Sequence, residues 1–189
     1  MVLPGKLPWF DPAGGVRIFE PEDTAGLRKY APEAIAAPSG YLVFLARMVD
    51  AGYFAAFPKP KHALIAFTGM VSRGGAPSIL TPMERDILWQ VFRIPVFEQY
   101  LGMDGRLVAW ECQAHEALHI VPENAVFEKE RLTELLFTSL TNCYTPTLRL
   151  TTRASGNIES ARCPCGHSSP LLSGLRTVLA PVPPRFATA

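Results

Sequence analysis

Apolar positions in the first half of the chain follow two spacings, one typical of helices and the other of strands. The run YLVFLARMVDAG (41–52) predicts a buried helix, and the short run ALIAFTG (63–69), bounded by turn residues, predicts a buried strand. The segment TPME (81–84) predicts the start of a second helix, because it combines a hydroxyl N-cap, a proline in the first turn and a glutamate three residues after the cap. Two more apolar runs predict strands over 94–101 and 106–112. This succession is an α/β pattern.

The later part of the chain has a different pattern, which predicts strands without helices. It starts with LHIVPENAVFE (118–128) and continues with strand candidates at 134–140, 145–152 and 158–160. Both termini are rich in proline, so we predict extended arms there, with one short helix over 24–30. The expected fold class is α/β, with a mixed sheet and flanking helices followed by a small β subdomain.

Four parts follow from these patterns. Residues 1–40 form a Pro/Gly-rich N-terminal arm with the short helix, and 41–112 form the α/β core. Residues 113–176 form a β-rich subdomain that bears three of the four candidate metal ligands, and 177–189 form a Pro-rich C-terminal tail.

Composition excludes several classes of function. Hydrophobic residues make up 48% and charged residues 19% of the 189 residues, which is typical of a globular protein. The net charge of +1 gives no electrostatic reason to expect nucleic acid or an anionic membrane as a partner. No apolar run approaches the ~20 residues of a membrane-spanning helix, and the segment MVLPGKLPWFDPAGG lacks the apolar core of a signal peptide. We therefore expect a cytoplasmic protein.

Two segments carry the clearest chemistry, ECQAHEALHI (111–120) and CPCGHSSP (163–170). Each of them offers two soft ligands, and cysteines in a cytoplasmic chain point to metal or plain thiols rather than disulfides. Zn²⁺ prefers four such N and S donors in a tetrahedron, and a closed shell of four protein donors is structural rather than catalytic. The candidate zinc ligands are Cys112, His119, Cys163 and Cys165.

Other interpretations of these residues stay open on spacing alone. Cys112 can pack as a small apolar residue on a strand, with Cys163 and Cys165 as loop thiols. His115 and His167 are competing donors for the same metal, and His115 is the stronger competitor.

Four motifs, in order, give the chain from about residue 41 to 176 a resemblance to adenylate-forming ligases of the phenylacetate–CoA ligase branch, which includes the CapK-like proteins. VFEQYLGMDG (96–105) is similar to the family's strand followed by Tyr-Gly-x-Thr-Glu, and ECQAHEALHI to its Glu-Cys-Glu-Ala-x-x-Gly-Leu-His-Ile. TELLFTSLTNCYTPTLRLTTR (133–153) resembles Gly-Glu-Leu-x-Phe-Thr-Thr-Leu-Thr with a following Pro-x-x-Arg-Tyr-Arg-Thr-Arg stretch, and CPCGHSSPLL (163–172) resembles Cys-x-Cys-Gly-Arg-Thr-His-Pro-Arg. The resemblance implies a partial adenylate-forming-ligase fold with zinc among these Cys and His positions.

The chain departs from that family where the family binds ATP. No Ser/Thr/Gly-rich phosphate loop is found, and the one Gly-rich candidate, SRGG (72–75), is better explained as a surface turn. Asp104 stands at the position of the Mg²⁺-binding glutamate, Met103 at that of a hydroxyl residue, and Ala154 at that of the aspartate that binds the ribose. Family members are more than twice as long and carry a C-terminal domain with a lysine, so this chain is expected to be a truncated form.

We therefore expect a zinc-binding structural or interaction module that is not catalytic alone, a pseudoenzyme whose partner is a second copy or another protein. An alternative is a subunit of a split acyl- or aryl-CoA ligase, in which a partner chain completes the ATP site. Asp104 would then hold Mg²⁺ and Tyr100 would cover the adenine, whereas the isolated chain is not expected to bind ATP and Mg²⁺. A third interpretation is a zinc hydrolase with water as one ligand, for which Glu111 or Glu116 would be the base.

Overall fold

The structure is a computed structural model that describes residues 16–20, 23–54, 57–69, 78–129, 134–141 and 146–178. The helices of this part of the chain are α1 (Thr24–Tyr30), α2 (Ser39–Asp50) and α3 (Pro82–Phe92). Its strands are β1 (Ala34–Pro38), β2 (Ala63–Gly69), β3 (Val96–Leu101), β4 (Leu107–Glu111), β5 (Leu118–Ile120), β6 (Ala125–Lys129), β7 (Leu135–Ser139), β8 (Leu150–Thr151), β9 (Ala154–Glu159) and β10 (Leu171–Thr177).

The first half of the fold is a parallel β-α-β-α-β unit. Strands β1, β2 and β3 pair in parallel and lie side by side in chain order, with α2 and α3 as the connections. Because both crossovers advance in the same direction, the right-handed rule puts α2 and α3 on the same face of the sheet. There they pack on each other and on the strands, and Leu42, Leu64 and Leu88 are fully buried in the shared core.

Helix α3 begins as the sequence predicts. The backbone N–H of Glu84 donates to the Thr81 hydroxyl at 3.3 Å, and the Glu84 carboxylate accepts from the backbone N–H of Thr81 at 2.8 Å. These two reciprocal bonds are the predicted capping box, with Pro82 in the first turn. Helix α2 starts at Ser39, two residues before the predicted start, and ends at Asp50, just before Gly52 at φ 82°.

The main sheet has seven strands in the order β1-β2-β3-β4-β5-β10-β9, and it becomes antiparallel after β3. Strands β6, β7 and β8 form a separate three-stranded antiparallel sheet. The predicted fold class is therefore confirmed. However, β5, β9 and β10 extend the large sheet, so that sheet continues across residue 112, where the sequence predicts the end of the α/β core.

A second apolar core joins the two sheets. Tyr100 and Val108 come from the main sheet, Phe127 and Phe137 from the small one, and all four are at most 7% exposed. This core holds the small sheet against the antiparallel part of the main sheet, which includes β4 and β5. The candidate ligand Cys112 directly follows β4, and the candidate ligand His119 lies on β5. The strand pairing and the second core therefore both hold their backbone in place.

Several elements differ from the predictions. Strand β1 lies inside the predicted N-terminal arm and was missed, because AIAAP has three alanines and a proline and only one β-branched residue, Ile35. Strand β10 was missed because a register shift between Ser173 and Arg176 interrupts the apolar alternation. Strand β8 has only two residues within the predicted 145–152, whereas β9 begins four residues before the predicted 158–160.

Some predicted features lie outside the described residues. They include residues 1–15 and 21–22 of the predicted N-terminal arm, residues 179–189 of the C-terminal tail, the glycine-rich segment 72–75 and Cys143. Within the described ranges, no helix has the length and apolar character that crossing a membrane requires.

Candidate metal centre

Strand pairing brings the two ligand-bearing segments together. Trp110 on β4 pairs with His119 on β5, and Cys112 follows the last residue of β4. On the other side, His119 pairs with Leu171 at the start of β10, so the preceding loop with Cys163 and Cys165 passes beside the same imidazole. Because β4, β5 and β10 are neighbours in the sheet, the segments that carry the candidate ligands lie side by side.

The structure brings the four predicted ligands into one cluster. Their donor atoms, three Sγ atoms and one imidazole nitrogen, all lie within 4.8 Å of one another. Cys112 Sγ and Cys163 Sγ are 3.5 Å apart, and Cys165 Sγ is 3.3 Å from His119 Nε2. A tetrahedral zinc with Zn–S bonds of 2.3 Å separates its sulfurs by roughly 3.8 Å, so the cluster has the size of such a shell. The cluster can hold a metal ion.

Backbone N–H groups point at two of the sulfurs. The N–H of Ala114 donates to Cys112 Sγ at 3.4 Å, and the N–H of His167 donates to Cys165 Sγ at 3.5 Å. Each donor lies two residues after its cysteine. The turn over residues 163–166 is closed by a bond from the Gly166 N–H to the Cys163 carbonyl at 3.0 Å. Gly166 has φ 85°, a conformation that glycine adopts without strain. Such donors favour thiolate over thiol.

The pKa values of the cysteines reflect their crowding. The N–H bond from His167 is the largest of the causes that lower the pKa of Cys165. For Cys163 the N–H bond from Cys165 lowers the pKa, but burial and the neighbouring thiols of Cys165 and Cys112 raise it to about 11. Three thiols in so small a volume resist ionising together unless a cation joins them. Binding of a metal ion here would therefore be coupled to the release of protons from these cysteines.

His119 is held in a closed environment. Its side chain is fully buried, and burial lowers its pKa, which favours the neutral imidazole that metal binding requires. Its Nδ1 lies 3.0 Å from Ser169 Oγ, and the Trp110 ring stacks on it with centroids 4.8 Å apart. Sequence reasoning missed Ser169, because a serine in a loop carries no distinctive signal.

The two competing histidines lie outside the four-donor cluster. His115 Nδ1 is 3.1 Å from Glu111 Oε1, and its ring stacks on Phe97 with centroids 4.9 Å apart. His167 Nδ1 is 3.1 Å from Ser169 Oγ. Both rings are thus engaged elsewhere, and His119 is the imidazole that meets the three sulfurs.

An ion cluster next to the metal centre was not anticipated from the sequence. Arg85 Nη2 on α3 donates to Glu111 Oε2 at 2.8 Å and to Glu98 Oε2 at 3.3 Å. Glu111 also accepts the backbone N–H of Glu98, and Glu98 Oε1 accepts the hydroxyl of Thr68. The two glutamates are buried, so Arg85 compensates their charge directly. The only signal in the sequence was a glutamate at an inward-facing position of β3.

Glu98 gives the fold a pH dependence with a defined sign. Burial raises its pKa above the ordinary value of 4.5, although the bonds from Thr68 and Arg85 act in the opposite direction. A raised folded-state pKa means that the contribution of Glu98 is fully present below pH 4.5 and is lost as the pH rises through the raised value. We expect the stability of the wild type, relative to Glu98→Gln, to fall over that range.

Urea unfolding at a series of pH values measures this difference. The exposed Glu116→Gln variant is the control for the loss of one carboxylate elsewhere on the surface. A difference between the wild type and Glu98→Gln that stays constant or increases with pH would contradict the assignment.

The two predicted nucleotide positions, Tyr100 and Asp104, lie near the end of β3. Tyr100 is 1% exposed and packs edge-on against Phe127 with centroids 6.1 Å apart, so its ring faces are inside the second core. Burial raises its pKa, which keeps the hydroxyl protonated. Asp104 Oδ1 accepts the backbone N–H of Arg106 at 3.2 Å within the turn after β3.

The sequence matches no protein-family model and none of the curated proteins. Solved structures do have a similar fold. One is a 2-hydroxyisobutyryl-CoA ligase in an open conformation with 2-HIB-AMP and CoA, at a TM-score of 0.62 and 16% identity over 83% of this chain and 36% of the ligase. For the same ligase with these ligands in the thioesterification state, the TM-score is 0.62 and the identity 15%, over 84% of this chain and 35% of the ligase. For the ligase in the postadenylation state with R3-HIB-AMP, the TM-score is 0.60 and the identity 15%, over 81% of this chain and 34% of the ligase.

The chain thus spans about a third of the length of these ligases. At such low identity the likeness concerns the fold, and it agrees with the seven-stranded sheet, its helices on one face and the small second sheet. The predicted partial-ligase fold is confirmed: this chain has the fold of part of an adenylate-forming CoA ligase.

Proposed function

We propose that this chain is a cytoplasmic, zinc-binding module with a partial ligase fold, and that it has a structural or interaction role instead of catalysing a reaction alone. The observation that carries the proposal is the cluster of three sulfurs and one imidazole nitrogen within 4.8 Å. Four protein donors fill a tetrahedral shell and leave no position for water or substrate, which is the arrangement of structural zinc sites.

Zinc is the metal that these donors suit best. Thiolates and imidazole are soft or borderline ligands, which exclude Mg²⁺ and Ca²⁺ as the natural occupant. Three of the four ligand residues are buried, and Cys165 is half-buried, so the ion would be largely shielded from solvent. A zinc hydrolase is disfavoured by the same closed shell, and Glu111 is already paired with Arg85 and His115.

The environment of the nucleotide positions supports a non-catalytic role. Tyr100 is buried in the second core, where its ring has no open face for adenine. Ala154 is fully buried and its methyl group cannot accept hydrogen bonds from a ribose, and Met103 cannot donate one to a phosphate.

The four ordered motifs further support a kinship with the phenylacetate–CoA ligase branch.

Exposed apolar side chains support an interaction role. Large ones lie on both helices of the main sheet and around the small sheet, and they include Phe44, Trp89, Val126 and Leu148. We propose that a second copy of the chain or another protein covers part of this surface, and that neither nucleic acid nor a membrane is the partner.

Elemental analysis of protein purified without metal-affinity resin tests the zinc proposal. We expect about one zinc per chain, and no more than traces of zinc in the double variant Cys112→Ser/Cys163→Ser. A wild-type preparation that is folded and free of transition metal, and that takes up none from added zinc, would overturn it.

The second candidate function is a subunit of a split acyl- or aryl-CoA ligase, which is favoured by the ligase fold itself. A partner chain would supply the phosphate loop and the lysine, Asp104 would hold Mg²⁺ and Tyr100 would have to leave the core to cover adenine. We expect calorimetric titration of the isolated chain with millimolar Mg-ATP to show no binding. Measurable binding, or pyrophosphate exchange once a partner is added, would favour the ligase subunit instead.

A further inference from the structure

Ser169 lies between two imidazoles and forms a hydrogen-bonded chain with them. Its Oγ is 3.0 Å from His119 Nδ1 on one side and 3.1 Å from His167 Nδ1 on the other. We propose that Ser169 and His167 are positioning residues that fix the tautomer and the ring orientation of His119 for metal binding. The inference deepens the proposed function and takes its ligand set from it.

The directions of these hydrogen bonds follow from one backbone group. The backbone N–H of Ser169 donates to His167 Nδ1 at 3.3 Å, so that nitrogen carries a lone pair and no proton. Since that nitrogen has no proton to give, the bond between it and the Ser169 hydroxyl is donated by the hydroxyl, and the two donors share the one lone pair of Nδ1. The hydroxyl oxygen is then left as an acceptor, and His119 Nδ1 must carry the proton of the third bond.

The consequence for His119 is a single tautomer. A neutral imidazole has one N–H, so a protonated Nδ1 leaves Nε2 with its lone pair free. Nε2 is the nitrogen that lies 3.3 Å from Cys165 Sγ, at the metal cluster. The hydrogen bonds from His167 through Ser169 to His119 therefore leave the lone pair of Nε2 free for a metal ion before the ion binds.

Aromatic contacts hold the ring in the same orientation. Trp110 stacks on His119 with an interplanar angle of 26°, and the His167 ring meets His119 edge-on with centroids 5.0 Å apart. His167 also meets Trp110 edge-on at 5.4 Å. The His119 ring is therefore confined on its face by Trp110, at its edge by His167 and at Nδ1 by Ser169.

The positioning residues belong to the loop that carries two of the metal ligands. Ser169 is 8% exposed, and the loop also contributes Cys163 and Cys165. His167 and Ser169 stand where the resembling motif has arginine and histidine, so the hydrogen-bonded chain is a feature of this sequence and not of the motif. Outer-shell partners of a ligating histidine raise metal affinity by fixing its tautomer.

Ser169→Ala removes the acceptor for His119 Nδ1–H, and Ser169→Thr retains it. We expect Ser169→Ala to weaken zinc binding by about 10–100-fold in a competition with a chromophoric chelator, and Ser169→Thr to stay within about threefold of the wild type. The exposed Ser168→Ala in the same loop is the matched control and should bind zinc as the wild type does.

The tautomer is measured separately, by long-range ¹H–¹⁵N correlation spectra of the imidazole before and after chelation. The wild type should show a single His119 tautomer with the proton on Nδ1 in both samples. Ser169→Ala should show a mixture in the metal-free sample. Should Ser169→Ala fail to fold, His167→Phe keeps the ring edge, frees the Ser169 hydroxyl to donate to His119 and should give the same mixture.

Two results would overturn the inference: a wild-type His119 with the proton on Nε2, or a Ser169→Ala variant with unchanged tautomer and unchanged zinc affinity. A wild type that has the proton on Nδ1 but binds no zinc would instead refute the proposed function and leave the positioning of His119 supported.

Discussion

Removing the metal with a chelator is expected to lower the melting temperature of this protein by about 8–16 °C. A ligand at 1,000 times its dissociation constant stabilises the folded state by about 4 kcal/mol. For a domain of this size, 1 kcal/mol shifts the melting temperature by about 2–4 °C. The expected shift follows from these two values for zinc present in that excess.

The physical reason lies in what the metal connects. Cys112 and Cys163 are 51 residues apart in the chain, and their sulfurs are 3.5 Å apart in the fold. A metal ion bound there would join the loop after β4 to the loop before β10, and both loops border the middle of the main sheet. Without a cation, the cluster leaves buried thiols whose mutual crowding disfavours ionisation.

Differential scanning calorimetry with and without chelator measures the shift. The Cys112→Ser/Cys163→Ser variant is the control, because it should melt at a lower temperature and should not respond to the chelator. An unchanged melting curve of the wild type after verified metal removal would show that the cluster does not stabilise the fold.

Replacing Arg85 by methionine is expected to destabilise the protein by about 3–5 kcal/mol at neutral pH. Glu98 and Glu111 have side chains that are 7% and 4% exposed, and both carboxylates meet the same Arg85 nitrogen. Loss of the guanidinium would leave two buried negative charges close together, and it would also remove a bond to the Val96 carbonyl at 2.9 Å. The cost should shrink at acid pH, where the carboxylates can protonate.

Urea unfolding followed by circular dichroism measures this change. Arg106→Met is the matched control, because the Arg106 side chain is 58% exposed and is expected to change stability by less than about 1 kcal/mol. Adding Glu98→Gln and Glu111→Gln to Arg85→Met should recover a large part of the loss, since no buried charge remains. If Arg85→Met were no more destabilising than Arg106→Met, the ion cluster would have no structural importance.

Local signals in the sequence predicted the elements whose formation is decided locally. The capping residues Thr81 and Glu84 and the uninterrupted apolar run of α2 act within one or two turns of chain, so α2 and α3 were found within two residues. Strand β1 was missed because its small residues are buried through pairing with β2, a partner about thirty residues away. Pairing of that kind leaves no local periodicity.

The candidate site shows the same division. The four candidate ligands could be named from the sequence because cysteine and histidine are recognised as possible metal ligands by residue type and motif, and the structure brings those four together. Ser169 and Arg85 could not be found in this way. Their roles depend on which groups the fold places beside them, namely His119 and His167 for the serine and two glutamates for the arginine.

The boundary expected at residue 112 illustrates a further limit. The change from mixed to all-β patterning is present in the sequence, and the large sheet extends across it. Strand β5 belongs to the large sheet and β7 to the small one, although both have three consecutive buried positions. Only the hydrogen-bonded pairing distinguishes them.

X-ray absorption at the zinc edge of the purified protein tests the central claim most directly. The account predicts one ion with three sulfur neighbours at about 2.3 Å and one nitrogen neighbour at about 2.0 Å, supplied by Cys112, Cys163, Cys165 and His119. A zinc shell made of oxygen and nitrogen, or one with fewer than three sulfurs, would place the ion elsewhere in the protein and contradict the account.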